Sequence, residues 1–384
     1  MMKTFFLRIA IVAVCVIGVA SCGTKQTEEP VVPVVRVDLD MAALSEEEAG
    51  QIFTDPSYVV LRGVLLGQIE QILDWGDRYV IYDQKQEKVY LFDTLGQLIC
   101  PVGAQGKGPH EYVQLGGIGL NGEELVLGSI LPHRLMFFDK NGNFLRDEPT
   151  ESVVFNKGIA CSGGKIYGVS SCNRGESGYT VRRIDSGLDT PYLPRENCPA
   201  SIAGGAYQSV ADSGIIWISR PFDNRVYRID PQNNGPEPVF EFDFGNGNIP
   251  ESYTDGINDV EVIMNARKEN KVFHAARPCQ IGQQLMVGTG GNYLLVDLTD
   301  GEVRRIQDIP VCEGLTINPW GYVPLAYQHR RIAMQVDPLY ANEDIEKGHI
   351  SHSSTLDSLM SANSEYQNPI LVVFNVADPN HHEN

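Results

Sequence analysis

At 384 residues, 42% hydrophobic and 21% charged, the chain has an ordinary globular balance, enough apolar material for a large core, and no reason to be disordered. Its 49 acidic residues against 30 basic ones give a formal charge of −19. A body that acidic repels nucleic acid and anionic lipid, so nucleic-acid binding is set aside.

In chain order, Lys3 and Arg8 precede IAIVAVCVIGVA (9–20), an apolar run without acidic groups and too short to span a bilayer comfortably. It reads as an export signal. Next comes Val19-Ala20-Ser21-Cys22-Gly23, which resembles the bacterial lipobox. That resemblance implies cleavage ahead of Cys22, a diacylglyceryl group on its sulfur, and a membrane partner held through that lipid. Loss of residues 1–21 removes Lys3 and Arg8 and moves the charge from −19 to −21. Residues 22–33, with two prolines and no apolar periodicity, read as a flexible tether; 34–378 read as the folded body and 379–384 as a disordered tail. No later segment has transmembrane length. Export permits disulfides, and Cys100, Cys161, Cys172, Cys198, Cys279 and Cys312 form an even set without a C-x-x-C pair. Their pairing stays open.

The body carries a repeat. VYLFD (89–93), LMFFD (135–139), VRRID (181–185), VYRID (226–230) and YLLVD (293–297) are strand-like segments ending in aspartate, and the first four aspartates lie 46, 46 and 45 residues apart. LVVFN (371–375) is a sixth copy with Asn375 in the aspartate's place. A period in the forties with several short strands per unit is the signature of propeller blades. Upstream of the copies lie RYVIYD (78–83), EELVLGS (123–129), GKIYGVS (164–170), GIIWIS (214–219) and QQLMVGT (283–289), read as the inner strand of each blade. IAMQVD (332–337) also ends in aspartate and leaves a seventh blade open; the preferred reading makes it an inner strand of a sixth blade, with VVRVDLD (34–40) or SYVVLRG (57–63) closing the ring. The fold class is therefore all-β, a six-bladed β-propeller. Residues 258–272 and 353–366 have helical spacing and read as insertions on one face.

Several stretches invite a chemical reading. GAQGKGPHEY (103–112) suggests a phosphate cradle, yet Lys107 is followed by Gly108 and Pro109 rather than Ser or Thr and a helix. A glycine-rich turn explains it better, with Lys107, His110, Glu111 and Tyr112 kept as ligand-binding candidates. DKNGN (139–143) begins like a calcium loop but has Thr150 where the bidentate glutamate belongs. DFGNGN (243–248) offers Asp243, Asn246 and Asn248 without a second carboxylate, and His349, His352, His381 and His382 match no zinc motif. GESGY around Ser177 fails the nucleophile-elbow pattern at Tyr179. WGYVPLAYQHRR (320–331) gathers Trp320, Tyr327, His329, Arg330 and Arg331 in an otherwise acidic chain, a set suited to a sugar, peptide or carboxylate, or to a strand with a solvated basic edge. No metal or other cofactor is expected, and no catalytic residue is assigned.

The lipobox, the Asp-ended strands, Gly103 to Tyr112 and the terminal NPILVVFNV (368–376) together resemble the six-bladed β-propeller lipoproteins of Bacteroides-type bacteria, a TolB-like or NHL-like group. His110 departs from the group, which often has glycine there. The resemblance implies a cell-envelope address at the outer membrane, facing the periplasm or the surface. Asp93-Thr94-Leu95 and Asp357-Ser358-Leu359 also resemble the O-glycosylation pattern of such bacteria. The expected function is a lipid-anchored module that binds a ligand or a protein, peptide or glycan partner. The rival expectation is a metal-assisted lyase or lactonase with its site in the central tunnel.

Overall fold

The aspartates that end the repeated strands bend the chain into hairpins. Asp93 accepts hydrogen bonds from the backbone N–H groups of Leu95 and Gln97 at 2.9 and 2.8 Å, and Asp139 from Asn141 and Asn143 at 2.8 and 2.9 Å. Asp230 and Asp297 do the same for Gln232 and Thr299, both at 2.8 Å. Each carboxylate satisfies turn donors that no strand can reach, which is why the residue recurs with the blade period. Asp139 and Asp243 are therefore turn residues. The second holds Gly245 N–H at 2.9 Å and Asn248 Nδ2 at 2.7 Å.

The computed structural model describes residues 32–150, 158–170, 178–185, 188–194, 207–233, 235–250, 253, 259–289, 292–312, 315–317, 324–328, 331–338, 346 and 354–377. They form a six-bladed β-propeller. Blade 1 runs outward from the axis as Ile69–Asp74, Arg78–Asp83, Lys88–Asp93 and Leu98–Val102, and blade 2 as Gln114–Asn121, Glu124–Leu131, Arg134–Phe138 and Phe144–Pro149. Blade 3 is Gly158–Ser162, Lys165–Val169, Tyr179–Asp185 and Leu188–Pro194; blade 4 is Tyr207–Val210, Ile216–Ser219, Arg225–Ile229 and Glu237–Asp243. Blade 5 is Ala275–Ile281, Gln284–Thr289, Asn292–Asp297 and Val303–Ile306. Blade 6 takes Pro324–Gln328, Arg331–Val336 and Ile370–Val376 from the C-terminal part of the chain and Phe53–Val60 from the N-terminal part.

Two expectations are corrected. The Asp-ended strands are third from the axis, and the strands expected to be innermost are second, because every blade has a further inner strand of low β-signal such as QLGGIGLN or GIACS. Likewise both N-terminal strands are used, in different blades. Phe53–Val60 closes the ring in blade 6, while Val34–Arg36 adds a parallel fifth strand to the outer edge of blade 4. Helices occur at Asp259–Lys268 and Ser354–Ala362, within the expected insertions. A further helix, Glu46–Ile52, opens with a Ser45/Glu48 capping box.

The core is divided among the blade junctions: six buried clusters, one for each pair of neighbouring blades, pack the face of one sheet on the next. The third strands of blades 1 and 2 are thus buried on both faces over Val89–Phe92 and Leu135–Phe138, whereas the outer strand Phe144–Pro149 is exposed or half-buried throughout. Near the axis the strands crowd. A Cβ on Gly117 would sit 2.5 Å from Gly158 Cα in the next blade.

Because strands alternate in direction, the two ends of the propeller differ. One end, here the tight-turn face, carries the first-to-second and third-to-fourth turns, all two to seven residues long. The other, the crossover face, carries the blade-to-blade connections and the second-to-third turns, including 244–274 and 337–369 with their helices.

Ring closure is locked by Asn368, buried to 1% exposure. Its Nδ2 donates to Leu61 O at 3.0 Å and Val64 O at 2.8 Å, and its Oδ1 accepts from Leu66 N–H at 2.8 Å. Asn368→Ala removes three hydrogen bonds and orphans their partners, so it should cost about 2–4 kcal/mol. Urea unfolding of the variant should show a lowered midpoint at unchanged slope.

Candidate functional site

The stretch 103–112 joins the outer strand of blade 1 to the inner strand of blade 2 on the crossover face. Its residues hold one another. Glu111 Oε2 accepts from Gly108 N–H at 2.6 Å, and Gly106 N–H donates to Tyr112 O at 2.8 Å. A Cβ on Gly106 would collide with the Glu111 carboxylate, and one on Gly103, at φ +70°, would lie 3.0 Å from the Tyr112 ring. Tyr112 is 1% exposed in the core between blades 1 and 2. His110, at φ +59°, stacks on Phe144 at 4.3 Å and reaches Asp147 Oδ2 at 3.2 Å. Arg134 donates to the same Oδ2 and to Glu111 O, each at 2.6 Å. Burial works to raise the Asp147 pKa, but the His110 and Arg134 hydrogen bonds and the Arg134 charge outweigh it, and the carboxyl stays below its ordinary value. Three of the four candidates here, His110, Glu111 and Tyr112, are engaged in holding the turn, and Lys107 is exposed.

The second predicted group lies elsewhere. Arg331 begins the second strand of blade 6 at the tight-turn face and forms an ion pair with the buried Asp74, tying blade 6 to blade 1. Tyr327 sits on the innermost strand of blade 6, opposite Ile332. Trp320, His329 and Arg330 lie outside the described residues, as do Cys22, Ser177, His349, His352, His381 and His382. Since loop 103–112 and Arg331 belong to opposite faces, they do not form one site. Thr94 is exposed on a tight turn, and Ser358 Oγ donates to Ser354 O at 2.7 Å on its helix.

Cys100, Cys161 and Cys279 are free thiols, and burial pushes Cys161 and Cys279 up to about 12. Neither is a thiolate nucleophile at neutral pH. Cys172 and Cys198 lie outside the described residues, as does the side chain of Cys312. Among the described residues no three His, Cys, Asp or Glu side chains are grouped to hold a metal ion, and no helix is long and apolar enough to cross a membrane.

A different cluster emerges between blades 4 and 5, at the crossover face. Tyr207 opens the inner strand of blade 4, and Ser219 ends the second strand directly opposite it, so both side chains leave the sheet on one face. That face meets blade 5: Ser209 Oγ donates to Pro278 O at 2.6 Å, and Trp217 Nε1 to Gln280 Oε1 at 2.9 Å. From blade 5, Thr289 stands opposite Ala275, and His274 stacks on Tyr207 with ring centroids 5.0 Å apart. Arg277 places its guanidinium 5.0 Å from the centroid of the same Tyr207 ring. Ser219 Oγ, Thr289 Oγ1 and His274 Nε2 are buried without a hydrogen-bond partner. As strands, GIIWIS and QQLMVGT do not single out their hydroxyl ends. The signal was there, since EELVLGS and GKIYGVS end the same way.

His274 is held neutral. Burial, helped by the Arg277 charge, pushes its pKa down to about 3. The unfolded chain, with an ordinary histidine near 6.5, therefore binds a proton that the folded state refuses between about pH 6.5 and pH 3. Stability from this site is whole above about pH 6.5 and is lost as pH falls through that window. His274→Phe keeps the ring stack and removes the titration, so the drop in stability between pH 7.5 and pH 5 should shrink by about 2 kcal/mol. Parallel denaturation curves of both proteins check this.

The family model described as a domain of unknown function, DUF4934, matches residues 32–375, and the chain belongs to that family. No curated protein matches the sequence. Among solved structures, an exported protein of Bacteroides fragilis NCTC 9343 is similar with a TM-score of 0.68 and 14% identity, covering 91% of this chain and all of its own. A DUF4221-family protein of Bacteroides vulgatus ATCC 8482 aligns with a TM-score of 0.50 and 10% identity, covering 85% of this chain and 97% of its own. Virginiamycin B lyase of Staphylococcus aureus aligns at 0.43 and 13% identity over 73% of this chain and 80% of its own. At these identities the likeness concerns the fold.

Proposed function

We infer that the protein is an exported, lipid-anchored binding module of the cell envelope that recognises its partner on the crossover face. The observation that carries the reading is the asymmetry of the two ends: Asp-capped turns seal one, whereas the other bears the long connections 244–274 and 337–369 with their helices. Recognition concentrates on such loops because a rigid scaffold positions them while leaving their sequence free. The helix Asp259–Lys268 buries Val262 and Ala266 and leaves Met264 65% exposed, an apolar side chain offered outward. The envelope address rests on the apolar leader and the lipobox at Cys22, and is in keeping with the Bacteroides fragilis neighbour being an exported protein.

A diazirine photo-cross-linking residue placed at Met264 on the crossover face and, separately, at Leu95 on the tight-turn face tests the reading in intact cells. Adducts from position 264 that are several-fold more abundant than those from position 95 are the expected result; equal or reversed yields would overturn it. In the same cells, Cys22→Ser should abolish labelling by an alkyne-tagged fatty acid and release the protein from the membrane fraction.

A further inference from the structure

Arg277 has a backbone that its sequence disfavours. It precedes Pro278, a position biased to extended conformations, yet adopts φ +55° within a bulge of the inner strand where the register shifts between Ala276 and Cys279. A non-glycine residue in that region stores strain, and such strain persists where the surroundings impose it, often at ligand clamps.

Its charge is also unusual for its setting. Nearby on blade 4, Arg220 and Arg225 share the Asp223 carboxylate at 2.7 and 3.0 Å, and Arg228 pairs with Glu237 at 3.0 Å. Among the described residues Arg277 has no carboxylate within ion-pair distance, in a chain of formal charge −19. What it does have is the Tyr207 ring, against which His274 packs and opposite which Ser219 stands, with His274 Nε2, Ser219 Oγ and Thr289 Oγ1 buried at the same junction without partners.

We propose that the blade 4–5 junction on the crossover face binds a small hydroxylated monocarboxylate, with Arg277 holding the carboxylate and His274, Ser219 and Thr289 taking its hydroxyl groups. The idea rests on the recognition face described above and names the ligand class for it. A guanidinium offers a planar fork that matches a carboxylate. Neutral His274 adds no second positive charge, which favours a monoanion over a dianionic phosphate. The two hydroxyls each give and accept hydrogen bonds, as sugar-like hydroxyls require, His274 Nε2 gives or accepts one according to its tautomer, and the Tyr207 face supplies an apolar platform. Each orphaned atom is costly while unpaired, so a guest that pairs them gains what the free protein lacks.

The test uses the mature full chain, with D-glucuronate, D-galacturonate, D-gluconate and L-lactate as probes and D-glucose, acetate and inorganic phosphate as comparators. Titration calorimetry and thermal unfolding should show at least one hydroxy-carboxylate binding and raising Tm with concentration, at least tenfold more tightly than any comparator. Arg277→Gly suits the positive φ, so it should fold and raise the Tm of the unliganded protein while weakening that binding at least tenfold. Ser219→Ala, which removes one orphaned hydroxyl, should leave the free protein as stable or more so and weaken binding several-fold. Absence of binding across the four probes, or binding undiminished in Arg277→Gly, would overturn the proposal. A silent panel alongside abundant adducts at position 264 removes only the carboxylate site; equal adducts at both faces remove the recognition face itself.

Discussion

Everything in this fold depends on one pairing, that of Phe53–Val60 with Ile370–Val376. It joins residues more than 300 positions apart, as between Thr54 and Asn375. Closing a chain loop of that length costs about 5 kcal/mol in entropy beyond a constant. The strands offset it with a ladder from Phe53 opposite Val376 to Val60 opposite Ile370, and with Phe53 and Phe374 packed edge to face at 6.0 Å. Fully burying one such side chain contributes about 1.5–3 kcal/mol, so a few of them suffice. The closure then creates burial elsewhere. The cluster between blades 6 and 1 contains Val59, Leu371 and Val373 alongside Ile72, Ile81 and Phe92, and its two halves meet only in a closed ring.

Distance from the axis decides how much of this was legible in the sequence. Third strands carry apolar runs, buried on both faces in blades 1 and 2, and four of them end in a local Asx turn, so apolar runs and period agree, and five of the six announce themselves by an aspartate. Innermost strands must fit six abreast around the axis. Gly117, Gly119, Gly158 and Ser209 are small for that reason, and small residues carry little strand signal. The expected blade was therefore one strand too thin while its count was right. The capping box at Ser45 and Glu48 was equally visible as S-x-x-E, but a seven-residue helix lacks the periodic length that draws attention to it.

The stretch 103–112 shows the same logic at the scale of a loop. Its glycines, histidine and glutamate look like a site because a tight crossover needs the residue types that sites also need: positive φ at Gly103 and His110, and a carboxylate to collect a stray N–H. The turn reading accounts for the geometry residue by residue. The blade 4–5 cluster is the converse case, since Tyr207, Ser219, His274, Arg277 and Thr289 come from four separate segments and make no motif in one dimension. Only the register brings them together.

The end of the second strand gives a control within the same molecule for what that cluster means. In blade 1 the position belongs to Asp83, fully buried, whose oxygens accept from the N–H groups of Gly67 at 2.5 Å and of Gln68 and Gln86 at 3.1 Å, and from Gln86 Nε2 at 2.9 Å. That is a polar group retained for structure, and it is satisfied. Ser219 and Thr289 occupy the corresponding positions of blades 4 and 5 with nothing to satisfy them. Ser129 in blade 2 is orphaned as well, a single hydroxyl opposite Arg134, whose Nε is also unpaired. Among the described residues, it is between blades 4 and 5 alone that such hydroxyls coincide with a desolvated neutral imidazole and a strained arginine without a carboxylate partner. An apolar residue at either hydroxyl position would have packed at lower cost. Polarity kept there runs against stability, and that conflict is what the proposed ligand would relieve.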